Sequence, residues 1–146
     1  METHINQRLV KGEDLNHHGT LFAGRTAAWF VECGFIAAAS LLRPDGIVCL
    51  KIHELTFNRP VQKGEVVTFE SRVVQAGRTR LVVHVHVYSR AGDVLRGFIT
   101  FVHVDAEGRS TPHGLTITPE TPEEAQLQRQ ASALLDQTYA EASHPG

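Results

Sequence analysis

The sequence predicts an α+β fold in which an antiparallel sheet curls around one long apolar helix and a polar helix closes the chain. Three observations carry that prediction. The segment Thr26 to Leu42, TAAWFVECGFIAAASLL, is apolar on nearly every side; four runs with strand character follow it; and the connectors between those runs are short and rich in turn residues. A sheet wrapped around the helix explains why the helix needs no polar face.

The apolar segment is shorter than the ~20 residues a membrane span requires, and Glu32 at its centre would be costly in lipid. It therefore reads as a helix buried inside its own protein. It stops at Arg43-Pro44-Asp45-Gly46, where proline restricts the preceding residue and Asp-Gly supplies a turn. The strand runs are Ile47 to Phe57, Glu65 to Gln75, Arg78 to Ser89 and Val94 to Val104. In the third, Val83, Val85 and Val87 alternate with His84, His86 and Tyr88, the period of a half-buried strand. Pro60 to Gly64, Ala76-Gly77 and Ala91-Gly92-Asp93 are connectors of the length that joins antiparallel neighbours. Ile5 to Lys11, with a weaker pattern, supplies a further strand ahead of the helix. Thr121-Pro122-Glu123-Glu124 is a helix start, with Thr121 as N-cap, Pro122 at the first helical position and Glu124 closing a capping box. A polar helix to about Ala142 follows. One domain is expected over residues 1–118, with a helical extension over 119–146.

With 146 residues, 42% hydrophobic and 21% charged, the chain suits a single soluble globular domain with one core. A formal net charge of -2 offers no basic field for nucleic acid or an anionic membrane, so an anionic ligand must be met by local cations. Cys33 and Cys49 lie in apolar runs without zinc-site or disulfide spacing, which fits buried thiols in a reducing compartment. Met1 to Val10 lacks the apolar core of a secretory signal. The expectation is a cytoplasmic protein with no nucleic-acid or membrane partner.

A carboxylate in a buried helix needs a hydrogen bond, a counter-charge or a raised pKa, so Glu32 is the first candidate for chemistry. The alternative is a structural acid paired to an arginine or reaching a subunit surface. Directly before the helix, GEDLNHHGTLFAG mixes turn formers with small residues and reads as a loop delivering the chain into the helix N-terminus. Free backbone N–H groups there stabilise charge on an oxygen, as in the tetrahedral intermediate of acyl transfer. Gly24 lets a ligand approach the backbone. Asn16 can donate to a carbonyl or hold an attacking water; it can equally cap the loop as an Asx turn.

DLNHHGTLFAG before an apolar helix, followed by LTFNRPVQKGEVVTFESRVVQAGRT, resembles the hotdog-fold acyl-CoA hydrolases, whose pattern reads D-x-N-x-x-G-x-x-F-G-G and later F-x-R-P-V-x-x-G-D. The resemblance spans roughly Lys11 to Val104, and two separated motifs in the right order make it specific. It implies hydrolysis of acyl-CoA thioesters to CoA and a carboxylic acid, with no cofactor, because CoA belongs to the substrate. Asn16, Glu32 and the Ala23-Gly24 backbone take the catalytic positions. Arg59 of FNRPV and the Gly77-Arg78-Thr79 turn match places where relatives bind the nucleotide end; Arg59 is alternatively a solvated loop cation. Lys63 and Arg80 are further nearby cations, and His18 and Phe57 line the acyl and CoA path. The resemblance also implies at least a homodimer, with a tetramer or hexamer built from it, and a site shared between subunits.

One position departs from the pattern. Relatives often carry an Asp seven residues after the second glycine of F-G-G, where this chain has Val31, and the available acid is one residue later. One residue rotates a side chain by about 100° on a helix, more than the extra methylene of Glu recovers. That keeps open a non-catalytic acyl-CoA-binding module and an acyl-CoA lyase or hydratase on the same site. In place of the first glycine stands Ala23, which a helical backbone tolerates. Substrate length depends on how Trp29, Phe30, Phe35 and Phe57 pack. Finally, His84, His86 and His103 raise a zinc reading if three imidazoles converge from neighbouring strands; the alternative is an ordinary outward sheet face. His17 and His18 are either base candidates or exposed loop residues.

Overall fold

The computed structural model describes residues 1–143, with side chains through residue 141; the end of the expected C-terminal extension lies outside the described residues. Strand β1 (His4–Leu9) precedes helix α1 (Ala23–Ala39); β2 (Ile47–His53), β3 (Val66–Ala76), β4 (Arg80–Ser89) and β5 (Gly92–His103) follow, and α2 (Pro122–Ser143) closes the chain. All strand pairs are antiparallel, in the order β1-β3-β4-β5-β2, so β1 and β2 are the sheet edges. Bulges interrupt β3 between Val73 and Gln75 and β2 between Cys49 and Lys51, adding local twist to the curl of the sheet.

The two faces of the sheet carry different helices. On the inner face Phe69, Val83, Val85, Val87, Ile99 and Phe101 pack against Phe30, Cys33, Ala37 and Ala38 of α1. The helix seats closely because a side chain at Gly34 would bring its Cβ within 2.6 Å of Ile99 Cδ1. On the outer face Val74 and Val82 pack against Leu127, Ala131 and Leu135 of α2. The α2 cap differs by one residue from a reciprocal box: Glu124 N–H donates to Thr121 Oγ1 (3.1 Å), while the Glu124 carboxylate accepts from Glu120 N–H (2.7 Å).

Three expectations change. Helix α1 starts at Ala23 and ends at Ala39, three residues ahead of the expected segment at each end, because Phe22 is still extended and the chain leaves the helix through Ser40. Nor is it wrapped all round. Thr26, Phe30, Cys33, Gly34, Ala37 and Ala38 are buried, but Ala28, Glu32 and Ile36 form an open stripe that a five-stranded sheet does not reach. Cys33 is buried as expected, whereas Cys49 is exposed, since it sits on edge strand β2 with no neighbour beyond it.

Candidate active site

The loop ahead of α1 is held at both ends by Asp14, which is almost fully buried. Its Oδ2 accepts Lys11 N–H (2.9 Å), its Oδ1 lies 3.4 Å from Arg25 Nε, and its backbone carbonyl accepts Phe22 N–H (2.9 Å). One acid therefore ties the start of the loop to the first turn of the helix. A second tether joins the two sequence motifs: Leu21 N–H donates to Val61 O (2.8 Å) and Thr20 forms a bridge with Gln62.

Asn16 is oriented by this loop. Its Oδ1 accepts the N–H groups of His18 (2.9 Å) and Thr20 (3.2 Å), and its Nδ2 donates to Thr20 Oγ1 (3.1 Å). The Asx-turn reading is thus realised, and it leaves a consequence for chemistry. The oxygen is occupied by two backbone donors, so the group available to a substrate is the second N–H of Nδ2. Asn16 can donate to a carbonyl oxygen but is poorly placed to accept from a water.

The N-terminus of α1 carries no side-chain cap: Phe22 is the N-cap residue, and the N–H groups of Ala23 and Gly24 have no acceptor among the described residues. These are the orphan donors at the positive end of a helix, suited to an oxyanion. The 54%-exposed Phe22 ring lies over this end. A Cβ on Gly24 would stand 2.5 Å from Phe22 Cε1, so Gly24 makes room for that ring.

Glu32 is not the buried acid that the sequence suggested. Its side chain is 62% exposed and lies 3.5 Å from Arg8, whose guanidinium also stands 6.0 Å from the Trp29 ring centroid. Both structural alternatives hold in the single chain, an arginine partner and an open surface. Val31 is half-buried and lines an open, mostly apolar slot of about 490 Å³ together with Phe35, Ile36, Cys49 and Phe101, and Arg8 and Glu32 border the same slot. Cys33, next in sequence, is no nucleophile: burial, with the neighbouring Glu32 charge, outweighs Arg8 and pushes its thiol up to about 11.

The CoA-binding candidates separate into two groups. Phe57 and Arg59 lie at the same end of the sheet as Asn16, His18 and Gly24, where Asn58 N–H meets Val94 O. Arg59, however, is engaged inside the chain. Its guanidinium donates to both Glu65 carboxylate oxygens (3.2 and 3.0 Å), Ser89 Oγ (2.6 Å) and the carbonyls of Pro60 and Gly92. It is neither a solvated cation nor one turned out toward a phosphate. The Gly77-Arg78-Thr79 turn sits at the other end of α1, tied down through Thr79 O to His103 N–H (2.7 Å). About 25 Å of helix separates the two ends. Within one chain the predicted site residues are not brought together.

The histidines do not converge. Among the described residues no cluster suits a metal ion. His86 bonds Asp93 (2.9 Å), His103 bonds Thr111 O (2.9 Å), and His84 is buried against Phe98 on the outer face. His17 and His18 stack on each other in the exposed loop, with ring centroids 3.9 Å apart. No helix among the described residues is long and apolar enough to cross a membrane.

With this geometry in hand, the profile of the thioesterase superfamily matches residues 18–95, more than half of the chain. The chain belongs to that superfamily. Among relatives of this thioesterase, an uncharacterized acyl-CoA thioester hydrolase of Bacillus subtilis is 29% identical over 124 residues, which cover 81% of this chain and 71% of that protein. The fold superposes on an acyl-CoA hydrolase from Bacillus cereus with a TM-score of 0.86 at 28% identity, covering 97% of this chain and 88% of that one. It also superposes on an apo-hexameric acyl-CoA thioesterase, with a TM-score of 0.83 at 29% identity over 98% and 94% of the two chains. A hotdog-fold thioesterase of Campylobacter jejuni shares the architecture (TM-score 0.65, 24% identity, 85% and 94% covered), which bears out the expected fold.

Residues that the sequence reading did not assign are Asp14, Thr20, Phe22, Arg25 and Arg8. The Asp of DLN carried a signal, since it belongs to the motif; the other partners become visible only when the loop closes on α1 and β1 reaches Glu32.

Proposed function

We propose that this thioesterase hydrolyses acyl-CoA thioesters to CoA and a carboxylic acid, and that it does so between subunits. The observation that carries the reading is the uncapped N-terminus of α1 beside an Asn16 whose only free group is an outward N–H donor. Water attacks the thioester carbonyl carbon, and the carbonyl electrons move onto oxygen. The Ala23 and Gly24 N–H groups and Asn16 Nδ2 receive that charge. Collapse of the tetrahedral intermediate breaks the C–S bond, and the proton taken from water by a carboxylate passes to the departing thiolate.

Glu32 is the acid available, but it lies eight residues beyond Gly24, about 12 Å along the helix. One chain cannot bring both to one carbonyl. A dimer that sets two α1 helices antiparallel along their open stripes supplies what is lacking: Glu32 of the partner subunit approaches the Asn16 loop, and the partner's 77–79 turn comes to the same end for the nucleotide. The exposed apolar residues Ile36, Val48, Leu50 and Ile52 on that side, together with the unpaired edge of β2, support such a contact. The hexameric relatives support further assembly of dimers, as a trimer of dimers. The ligand needs no cofactor, and the composition supports a cytoplasmic setting.

The test is thiol release from acyl-CoAs of graded chain length. Wild type is expected to release thiol, and Glu32→Gln to lose on the order of 100-fold in kcat, the usual worth of a general base. An Asp placed at Val31 in the Glu32→Gln background is expected to recover part of the loss. Saturable acyl-CoA binding without thiol release from any chain length would instead establish the binding module that Val31 at the usual acid position favours.

A further inference from the structure

A cleft of about 990 Å³ lies on the opposite side of the sheet from the Asn16 loop and α1. Helix α2 covers β3 and β4 but overhangs β5 and β2, and the space beneath its flank stays open. The floor is His84, Phe98 and Gly97 with His53 and Lys51; the overhanging wall is Leu127, Ala133 and Leu134, rimmed by Gln126, Gln130 and Gln137. From Glu123 to Gln137 it runs about 21 Å along the helix. A volume near the top of the range for small-ligand sites and an apolar wall facing polar and charged side chains suit a ligand with one apolar and one polar part.

His84 is the decisive residue. It is 4% exposed, lines this cleft, and its ring makes no hydrogen bond among the described residues, which leaves its nitrogens to whatever enters the cleft. The other histidine of the floor, His53, is satisfied by Thr100 Oγ1 (2.7 Å). The charged groups around His84 are unevenly spent. Glu123 is taken by Arg72 (3.1 Å) and Glu141 by Lys51 (2.8 Å), whereas Arg96 has only a loose contact with Asp93 (3.9 Å) and makes no hydrogen bond among the described residues. The carboxylates near the cleft are thus largely neutralised and Arg96 is left over; Glu54, at its edge, is exposed. Burial first, and then the neighbouring Arg96, Arg72 and His86, keep the His84 ring neutral.

We propose that this cleft binds an amphipathic anion, an apolar chain with a carboxylate or phosphate head, the chain lying between Phe98 and Leu127, Ala133 and Leu134 and the head meeting Arg96 and the His84 N–H. This site is separate from the thioester site and is read by binding alone, so it stands whether or not the chain hydrolyses thioesters. The two head groups are distinguished by the probes. Decanoate, decyl phosphate and decanol are titrated by calorimetry, below their aggregation concentrations, into the full-length protein and into Ala133→Trp, Arg96→Glu and Glu32→Gln. Saturable binding of at least one anion is expected, with decanol at least about tenfold weaker, as befits the loss of a charged hydrogen bond. Binding is expected to be abolished by Ala133→Trp, weakened about tenfold or more by Arg96→Glu through the same lost contact, and retained by Glu32→Gln. A preference for decanoate or for decyl phosphate supports the site and identifies its head group. No saturable binding of either anion, equal binding of decanol, or undiminished binding by Ala133→Trp overturns it. Ala133 is exposed, so the bulky variant is expected to fold; a change of its oligomeric state in light scattering would show the cleft to be a subunit interface and would equally overturn the proposal.

Discussion

The clamp between Arg59 and Glu65 fixes the loop on which the Asn16 segment is tethered, and replacing Glu65 by Gln measures its worth. Burial alone would raise the Glu65 carboxyl. The Arg59 guanidinium, the Gln62 N–H (2.6 Å) and the Ser89 hydroxyl outweigh burial and hold it at about 2, against an ordinary 4.5. Each unit of that depression corresponds to about 1.4 kcal/mol, so the ionised carboxylate contributes on the order of 3 kcal/mol at neutral pH. The side chain is only 15% exposed, so solvent screening removes little of this. For a domain of this size the loss translates to roughly 6 to 12 °C in Tm. The sign follows from the direction of the shift. A carboxyl depressed in the folded state contributes fully above its unfolded pKa of 4.5 and loses that contribution as pH falls toward 2. Thermal unfolding of wild type and Glu65→Gln, at one protomer concentration, is therefore expected to show a Tm gap that is wide at pH 6 and closes steadily toward pH 2.5. A gap that stays constant across that range would refute the assignment. Because the clamp fixes the Pro60 to Gln62 segment on which Leu21 and Thr20 are tethered, the same variant is expected to lower kcat while leaving the Asn16 side chain untouched.

Asn16→Asp keeps both acceptor bonds of the Asx turn, lets the Thr20 hydroxyl donate in place of the lost Nδ2 bond, and replaces the free N–H with negative charge; kcat is expected to fall on the order of 100- to 1,000-fold with only a small change in Tm, measured by thiol release and calorimetry. Loss of stability matching that of Asn16→Ala would show the residue to be structural only. For His84, burial first, then Arg96, Arg72 and His86, lowers the ring to about 3, so the unfolded chain takes up a proton near 6.5 that the folded chain refuses. Stability is complete above pH 6.5 and falls between there and 3 by up to about 1.4 kcal/mol per unit, and His84→Phe is expected to flatten that slope in urea titrations. Gly77→Ala would place a Cβ 2.6 Å from the Tyr139 hydroxyl, against a ring that also stacks under Arg80. It is expected to cost about 1–2 kcal/mol and to speed proteolysis within α2.

What was legible in the sequence was whatever one chain's local pattern encodes. The Val83-Val85-Val87 alternation faces α1 and the intervening His84 faces α2, as a period of two requires. Capping by Thr121 and Pro122 places α2 to within a residue. The burial of Glu32 was misread because an apolar helix resembles a wrapped one, whereas a five-stranded sheet with β1 and β2 at its edges leaves one stripe uncovered. The partners of Arg59 were hidden for a related reason: a cation in a loop motif reveals nothing of a glutamate six residues on and a serine thirty residues on until β3 and β4 set them around it.

The two motifs that carried the resemblance turn out to be one structural unit. Thr20 and Leu21 of the first pair with Gln62 and Val61 of the second, so each stretch needs the other to hold its backbone. The acid belongs to a different unit. Moving one residue along α1 exchanges a half-buried Val31 facing the slot for an exposed Glu32 at its rim, opposite Arg8. On the proposed dimer, a carboxylate on that open stripe would acquire its catalytic surroundings from the surface that covers the stripe, so the loop motif is a property of the chain, whereas the proposed role of the acid rests on how a partner seats on α1.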